Sequence, residues 1–285
     1  MCRYHQITFA IVASLVFVFL SILAYGEIPR LLDVPSDLPD IQRDKLAKLR
    51  AVLIEERNTL KARVEAHNKK YAPKNSVEYG ELEREAEQLK SEMQKHIQAS
   101  KEYNLEVRLN QRSIPGQAIP VIDAPITNDE NNRSAYNYAK VIDQFKVETS
   151  RRYEPYRIEN DVPPKTWCNI FVQDVTRAMN TELPADKITD EIIQWLNTEG
   201  TAKGWKSITN MDEAQKMANE GHPTIAIIPG HAAIIRPGSV GLEKKGVIQP
   251  AIAQAGGNPH GAKHIRIGFT ENQLKNIQFW FHKLI

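Results

Sequence analysis

Two narrow apolar stripes between residues 41 and 110 place the strongest constraint on how this 285-residue chain can fold. Their apolar side chains recur at spacings of three, four and seven residues. They are Leu46, Leu49, Leu53, Leu60 and Val64, followed by Leu82, Ala86, Leu89, Met93 and Ile97. Charged residues fill the other positions, so neither helix can bury its stripe alone. The pattern predicts a coiled-coil helical hairpin over 41–110. The apolar stripes could also bind a coiled-coil partner or a second copy of the chain in a homodimer.

The first residues predict export. Residues 7–23 are uncharged and almost wholly apolar, and Arg3 precedes them. The small residues Ala24 and Gly26 follow, as at a signal-peptidase site, while the run is also just long enough to remain as an anchor. We therefore expect 1–26 to be a signal peptide or an inner-membrane anchor. The rest of the chain is then expected in the periplasm or cell envelope.

Composition favours one ordinary core beside the hairpin. The 37 Lys and Arg residues nearly balance the 35 Asp and Glu residues, so no strong field indicates a nucleic-acid partner. Residues 27–40 are predicted to be a linker. Residues 111–133 contain several prolines and no helical period, which predicts a second, Pro-rich linker. Residues 134–285 have the size of a single domain.

Helical patterns come first in this last domain, and strand patterns follow. Helices are predicted at 135–149, 168–180, 190–197 and 211–219, and strands at 224–228, 231–235, 246–254, 264–267 and 277–283. Helices followed by a meander of strands predict an α+β fold.

Cys168 is the candidate nucleophile. Apart from Cys2 in the leader it is the chain's one cysteine, and a free thiol outside the cytosol is open to oxidation, so its presence suggests a chemical use. Thr166 is a plausible N-cap, which would put Cys168 in the first turn of a helix. The unpaired backbone N–H groups there favour the reactive thiolate.

His231 is the candidate base. It begins an apolar strand from which an imidazole can face a helix packed on the sheet. A third polar group should hold the ring in one tautomer, and Gln254, at the end of the next strand, is the first choice. Asn258 is the alternative for that role and also a candidate substrate-binding residue.

Three further residues have a functional and a structural interpretation. Trp167 would either line a peptide groove or pack against the sheet. Asn169 would bind substrate or cap its helix. Arg236 would meet a substrate carboxylate or lie exposed at the end of its strand.

Four histidines raise the question of zinc: His222, His231, His260 and His264. No cysteine or carboxylate cluster accompanies them in the sequence, and the pair that is four residues apart falls in a Gly-rich stretch. We therefore expect neither a metal nor another cofactor.

The segments TWCNIFVQDVTRAM, GHAAIIRPG and AIAQAGGN together resemble the papain-like peptidoglycan hydrolases of the CHAP and NlpC-type cysteine peptidase superfamily. The resemblance implies a helix-start cysteine packed on an antiparallel sheet. It also implies cleavage of amide bonds in peptidoglycan stem peptides through a thioacyl-enzyme. The Cys168 N–H and a donor from the preceding segment would form the oxyanion hole. Gln254 departs from the Glu, Asn or His that many of these enzymes carry.

Two other functions stay open at this point. A non-catalytic coiled-coil envelope protein could use the same domain to bind the cell wall or a partner. An acyltransferase of the same fold would hand the acyl group to an amine or a hydroxyl instead of water.

Overall fold

The computed structural model describes residues 28–70, 72, 76–117, 119–157, 164–185, 187–238 and 249–283. The predicted leader at 1–26 lies outside this range. In the described residues, no helix is both long and apolar enough to cross a membrane. The chain divides into two compact units, one up to Val107 and one from Arg108 onward.

The first unit is a hairpin of two long helices, α1 (Asp40–His67) and α2 (Val77–Leu109). Side chains buried at heptad spacing form the seam: Leu46, Leu53, Leu60 and His67 on α1, and Leu89, His96 and Tyr103 on α2. Arg63 pairs with Glu92, and Lys70 pairs with Glu85 at 2.7 Å. These bonds join the end of α1 to the first half of α2, so the helices run antiparallel.

The seam is narrower than the predicted stripe, because Leu49 is 42% exposed. The segment ahead of α1 covers another side of the hairpin. Its Leu31 and Leu38 pack with Leu46 and Tyr103 in one apolar cluster. Residues 27–40, predicted as a linker, therefore contribute buried side chains to the first unit.

The second unit contains the other elements. In chain order they are α3 (Ala135–Gln144), α4 (Cys168–Ala178), α5 (Thr189–Thr198), β1 (Trp205–Ile208), α6 (Met211–Asn219), β2 (Thr224–Ile228), β3 (His231–Arg236), β4 (Ala251–Gln254), β5 (His260–His264), α7 (Ile265–Gly268), α8 (Glu271–Leu274) and β6 (Gln278–His282). The strands form one antiparallel sheet in the order β1-β6-β2-β3-β4-β5. The mixed α+β class is as predicted.

The central strands of the sheet, β2, β3 and β4, are its most buried part. All five residues of β2 and all four of β4 are buried, as are the four central residues of β3. Strands buried on both faces read as continuous apolar runs, which explains the sequence of β2 and β3. The candidate base and its orienting residue come from β3 and β4, two adjacent strands.

Several predicted boundaries are corrected. The helix predicted at 135–149 ends at Gln144, and Lys146 has a left-handed φ of 48°. The strand predicted at 264–267 is a helical turn, α7, and the strand precedes it as β5. The strand predicted at 246–254 begins at Ala251; its first three residues lie outside the described range.

The predicted Pro-rich linker at 111–133 has no helix or strand among its described residues, but it packs on the second unit. Ile122 and Asn128 are buried. The Asn128 side chain donates to the Gly221 carbonyl at 2.8 Å, and the Pro120 carbonyl accepts from Arg152 at 2.9 Å. This segment is thus part of the domain that follows it.

Candidate active site

The thiol of Cys168 lies at the first residue of α4, against the start of β3. Its side chain is nearly inaccessible, at 4% exposure, and it is free. Burial raises the pKa of the thiol. The backbone N–H of Ala232, the hydroxyl of Thr166 and the N–H groups of Asn169 and Cys168 act in the opposite direction. The sulfur therefore lies beside the residue that follows His231. Burial outweighs the donors, so the thiol pKa is raised and the helix start does not favour the thiolate as the sequence predicts.

Thr166 is not the N-cap that the sequence predicts. The N-cap position belongs to Trp167, which makes no side-chain cap bond. The Thr166 hydroxyl instead lies 4.0 Å from the Cys168 sulfur. A single sequence offers no signal for this contact, because Ser and Thr before a helix are usually caps.

His231 and Gln254 are joined by a hydrogen bond. The His231 Nε2 lies 2.8 Å from the Gln254 Oε1. The Gln254 amide nitrogen donates to the Asn258 carbonyl at 3.3 Å, which orients the amide so that its oxygen faces the ring. His231 must then carry its hydrogen on Nε2, which leaves Nδ1 as the bare, proton-accepting nitrogen.

The surroundings of His231 favour the neutral form of its ring. Burial lowers the pKa of the imidazole, and the bond to Gln254 partly offsets this. The ring also packs on Phe269, with 4.8 Å between centroids. Phe269 follows α7, and nothing in its sequence context marks it as a neighbour of the site.

Three hydrogen bonds from backbone N–H groups fix the positions of α4 against β4 and of the start of β3 against α5. The Trp167 N–H donates to the Ala255 carbonyl at 3.2 Å, which links the start of α4 to the end of β4. The Gly230 N–H donates to the Thr189 hydroxyl at 2.9 Å and to Asp190 at 3.1 Å, so the turn before His231 rests on the start of α5. Gly230 takes a φ of 81°, which suits glycine at this turn.

Of the three predicted substrate-binding residues, Trp167 and Asn169 make side-chain hydrogen bonds to neighbouring segments and Asn258 is exposed. Trp167 is 7% exposed, and its indole N–H donates to the Glu154 carbonyl at 3.0 Å. Asn169 donates its side-chain N–H to the Lys187 carbonyl at 3.1 Å and does not cap the helix. The Asn258 side chain is exposed, and only its backbone carbonyl supports Gln254.

Arg236 is neither a free anion receptor nor an exposed strand end. It forms a bidentate ion pair with Asp143, with N–O distances of 2.6 and 2.9 Å, and also donates to the Gly261 carbonyl at 3.3 Å. The pair ties β3 to α3.

Among the described residues, no group of three His, Cys, Asp or Glu side chains could hold a metal ion. No protein-family model matches the sequence, and a search of curated proteins finds no match.

Gly268 provides the space in which Gln254 lies. A Cβ added at Gly268 would fall 2.2 Å from the Gln254 Oε1 and 2.6 Å from the Ile252 Cδ1. We expect Gly268→Ala to push the amide away from His231. For a mechanism in which Gln254 orients His231, this change should lower turnover about 10-fold to 100-fold, the cost of misplacing a catalytic group by about 1 Å.

Gly257→Ala is the matched control, because a Cβ there meets nothing within 4 Å. Initial rates for the two purified variants, with thermal unfolding measured alongside, test this expectation. Equal rates in two folded variants would contradict the role given to Gln254.

Proposed function

We propose that this protein is an exported cysteine hydrolase that cleaves amide bonds of peptidoglycan stem peptides through a thioacyl-enzyme. The observation that carries the proposal is the hydrogen bond between Gln254 and His231 on the two strands beside the Cys168 thiol. A hydrogen-bonded amide leaves the Nδ1 of His231 bare, and the next residue's N–H points at the cysteine sulfur.

Each residue has a defined task in this mechanism. The Nδ1 of His231 takes the proton of the thiol as the sulfur attacks the amide carbonyl carbon. The Cys168 N–H and the Thr166 hydroxyl are donors beside the oxygen that gains negative charge. His231 then protonates the leaving amine, the C–N bond breaks, and a thioester remains. Water attacks the thioester, gives a proton to His231, and the free acid departs as the thiol is restored.

The burial of Cys168 and His231 explains why the thiol needs a base to remove its proton. The pKa of Cys168 is raised and that of His231 is lowered, so both changes favour the neutral forms. The thiolate then forms during attack and does not persist as a resting ion pair. A thiol protected in this way is also less open to oxidation in the cell envelope.

The substrate class rests on two supports. The resemblance to CHAP and NlpC-type hydrolases is carried by the segments around Cys168, His231 and Gln254, and residues 1–26 read as an export signal. Peptidoglycan peptides lie in the compartment that such a signal indicates.

Incubation of the protein with purified peptidoglycan, followed by mass spectrometry of the soluble fragments, tests the proposal. New free amine and carboxyl ends must appear with the wild-type protein. An acyltransferase would give amide-linked or ester-linked products only after an amine or a hydroxyl acceptor is added. A cell-wall-binding protein would sediment with the sacculi without releasing fragments.

The pH profile offers a test of the neutral base. Because His231 must be unprotonated and burial lowers its pKa, kcat/KM is expected to hold at pH 6.5 and to fall only at more acidic pH. The hydrogen bond from His231 to Gln254 raises the pKa of His231. In Gln254→Ala the acidic fall of kcat/KM should therefore occur at a lower pH than in the wild type. A limb above pH 6.5 in the wild type, or an upward move in the variant, would contradict this assignment.

A further inference from the structure

One side of α1 carries large apolar side chains that the hairpin leaves exposed. Ile41 is 86% exposed, Leu49 42% and Val52 51%. Their spacings of eight and three residues place them on the same side of a helix, next to the buried seam. Ile54, 37% exposed, lies on the opposite side of α1.

A groove runs along the same side of the hairpin, between α1 and α2. It has a volume of about 530 Å³. Its apolar lining is Val52, Leu60 and Ala99, and its polar lining is Glu55, Glu56, Thr59, Arg63, Glu92, Lys95 and His96. The Nε2 of His96 is buried there without a hydrogen-bond partner. This face therefore combines protruding apolar side chains near one end of α1 with a recess toward the other end.

Charge is segregated around the Leu49–Val52 pair. Farther along the face Arg63 pairs with Glu92, and Glu56 also lies 3.4 Å from the Nδ1 of His96 in its own hairpin. Lys45 and Lys48 lie on the N-terminal side of the Leu49–Val52 pair, and Glu55 and Glu56 lie on its C-terminal side. When two copies of such a helix lie antiparallel, the basic residues before the apolar centre of one copy face the acidic residues after the apolar centre of the other. A parallel, in-register pair would instead set lysine against lysine and glutamate against glutamate.

We propose that this face of α1 binds the same face of a second copy of the chain, with the two helices antiparallel about a two-fold axis. The register follows from the apolar centre, where Leu49 of each copy meets Val52 of the other. In this antiparallel register, the residue four positions before Leu49 on one helix lies opposite the residue four positions after Val52 on the other. Lys45 of one copy therefore lies opposite Glu56 of the other. Four residues further along, Ile41 of one copy lies opposite Leu60 of the other.

This last pairing explains the most exposed apolar side chain of the hairpin. Ile41 of one copy arrives at the level of the groove of the other copy, where Leu60 and Ala99 are the apolar side chains that it can contact. The contact is isologous, so each copy supplies one Ile41 and one groove. This inference does not depend on the proposed hydrolase activity.

Sedimentation velocity of the full chain, purified in mild detergent, tests the proposal. The wild type is expected at twice the monomer mass of 32.4 kDa. Leu49→Glu combined with Val52→Glu should give monomers, because four carboxylates would then meet at the centre. Ile54→Glu is the matched control on the opposite side of the same helix and should remain dimeric.

Charge reversal tests the register and does not depend on the apolar variants folding. Lys45→Glu with Lys48→Glu, and separately Glu55→Lys with Glu56→Lys, should each weaken self-association, while an equimolar mixture of the two proteins should restore the dimer. A monomeric wild type, a dimer that survives the apolar double variant, or a mixture that stays monomeric would overturn the proposal. Circular dichroism of each variant confirms that the helices remain.

Discussion

Cys168→Ala and His231→Ala are each expected to lower the rate of peptidoglycan cleavage by at least about 10³-fold while leaving the fold intact. Nucleophile and base act as one unit, so removal of either abolishes nearly all of the shared chemistry. Each substitution shortens a single side chain and leaves the backbone hydrogen bonds of α4 and β3 in place. Fragment release measured by mass spectrometry and far-ultraviolet circular dichroism of each variant check both parts.

His264→Ala serves as the matched control, since His264 is an exposed histidine at the end of β5. It should retain wild-type activity. Gln254→Ala should lose less than His231→Ala, because an orienting group adjusts geometry without making or breaking bonds. Wild-type turnover in folded Cys168→Ala protein would exclude the thioacyl mechanism, and a larger loss in Asn258→Ala than in Gln254→Ala would exclude the orienting role of Gln254.

Asp174→Ala is expected to produce the largest loss of stability, about 3–5 kcal/mol in the second unit. Asp174 is 6% exposed and accepts hydrogen bonds from Arg152 at 2.8 and 3.0 Å and from the Tyr153 hydroxyl at 2.7 Å. Arg152 is 2% exposed, so removal of the carboxylate leaves a buried cation without its counter-ion. Arg152 also donates to the Pro120 carbonyl, a contact that anchors the 111–133 segment within the second unit.

Urea unfolding followed by tryptophan fluorescence measures this loss in the second unit alone. All four tryptophans lie there, at 167, 195, 205 and 280. Asp143→Ala is the matched control, because its ion pair with Arg236 is also bidentate but the Asp143 side chain is 59% exposed. It should cost about 1 kcal/mol or less. Similar losses in the two variants would show that burial does not set the strength of these pairs.

Elements with strong local signals were predicted well from the sequence. Helix α6 matches its predicted bounds, because Asn210 caps its start by accepting from the Glu213 N–H at 2.8 Å and Gly221 ends it with a φ of 85°. The candidate orienting residue Gln254 was also placed correctly, at the end of a strand next to that of His231. Its role in catalysis stays a prediction.

Elements defined by distant partners were missed. Strand β1 has only four residues and is a strand because it pairs with β6, far along the chain. Strand β5 is mostly exposed, so it has no apolar alternation to read. Ile265 and Ile267 alternate like strand residues, yet both lie in α7, with Ile265 buried and Ile267 57% exposed. Local patterns could not resolve these cases, because tertiary pairing decides them.

The place of β6 in the sheet sets an order of assembly. This strand follows every candidate site residue in the chain, yet it lies between β1 and β2 and supplies hydrogen bonds to both. Strand β2 is buried along its whole length, so without β6 one edge would leave unpaired backbone groups in an apolar layer. Pairing across so long a loop is slow. We therefore expect the candidate thiol and base to become rigidly placed only after β6 has paired with β2.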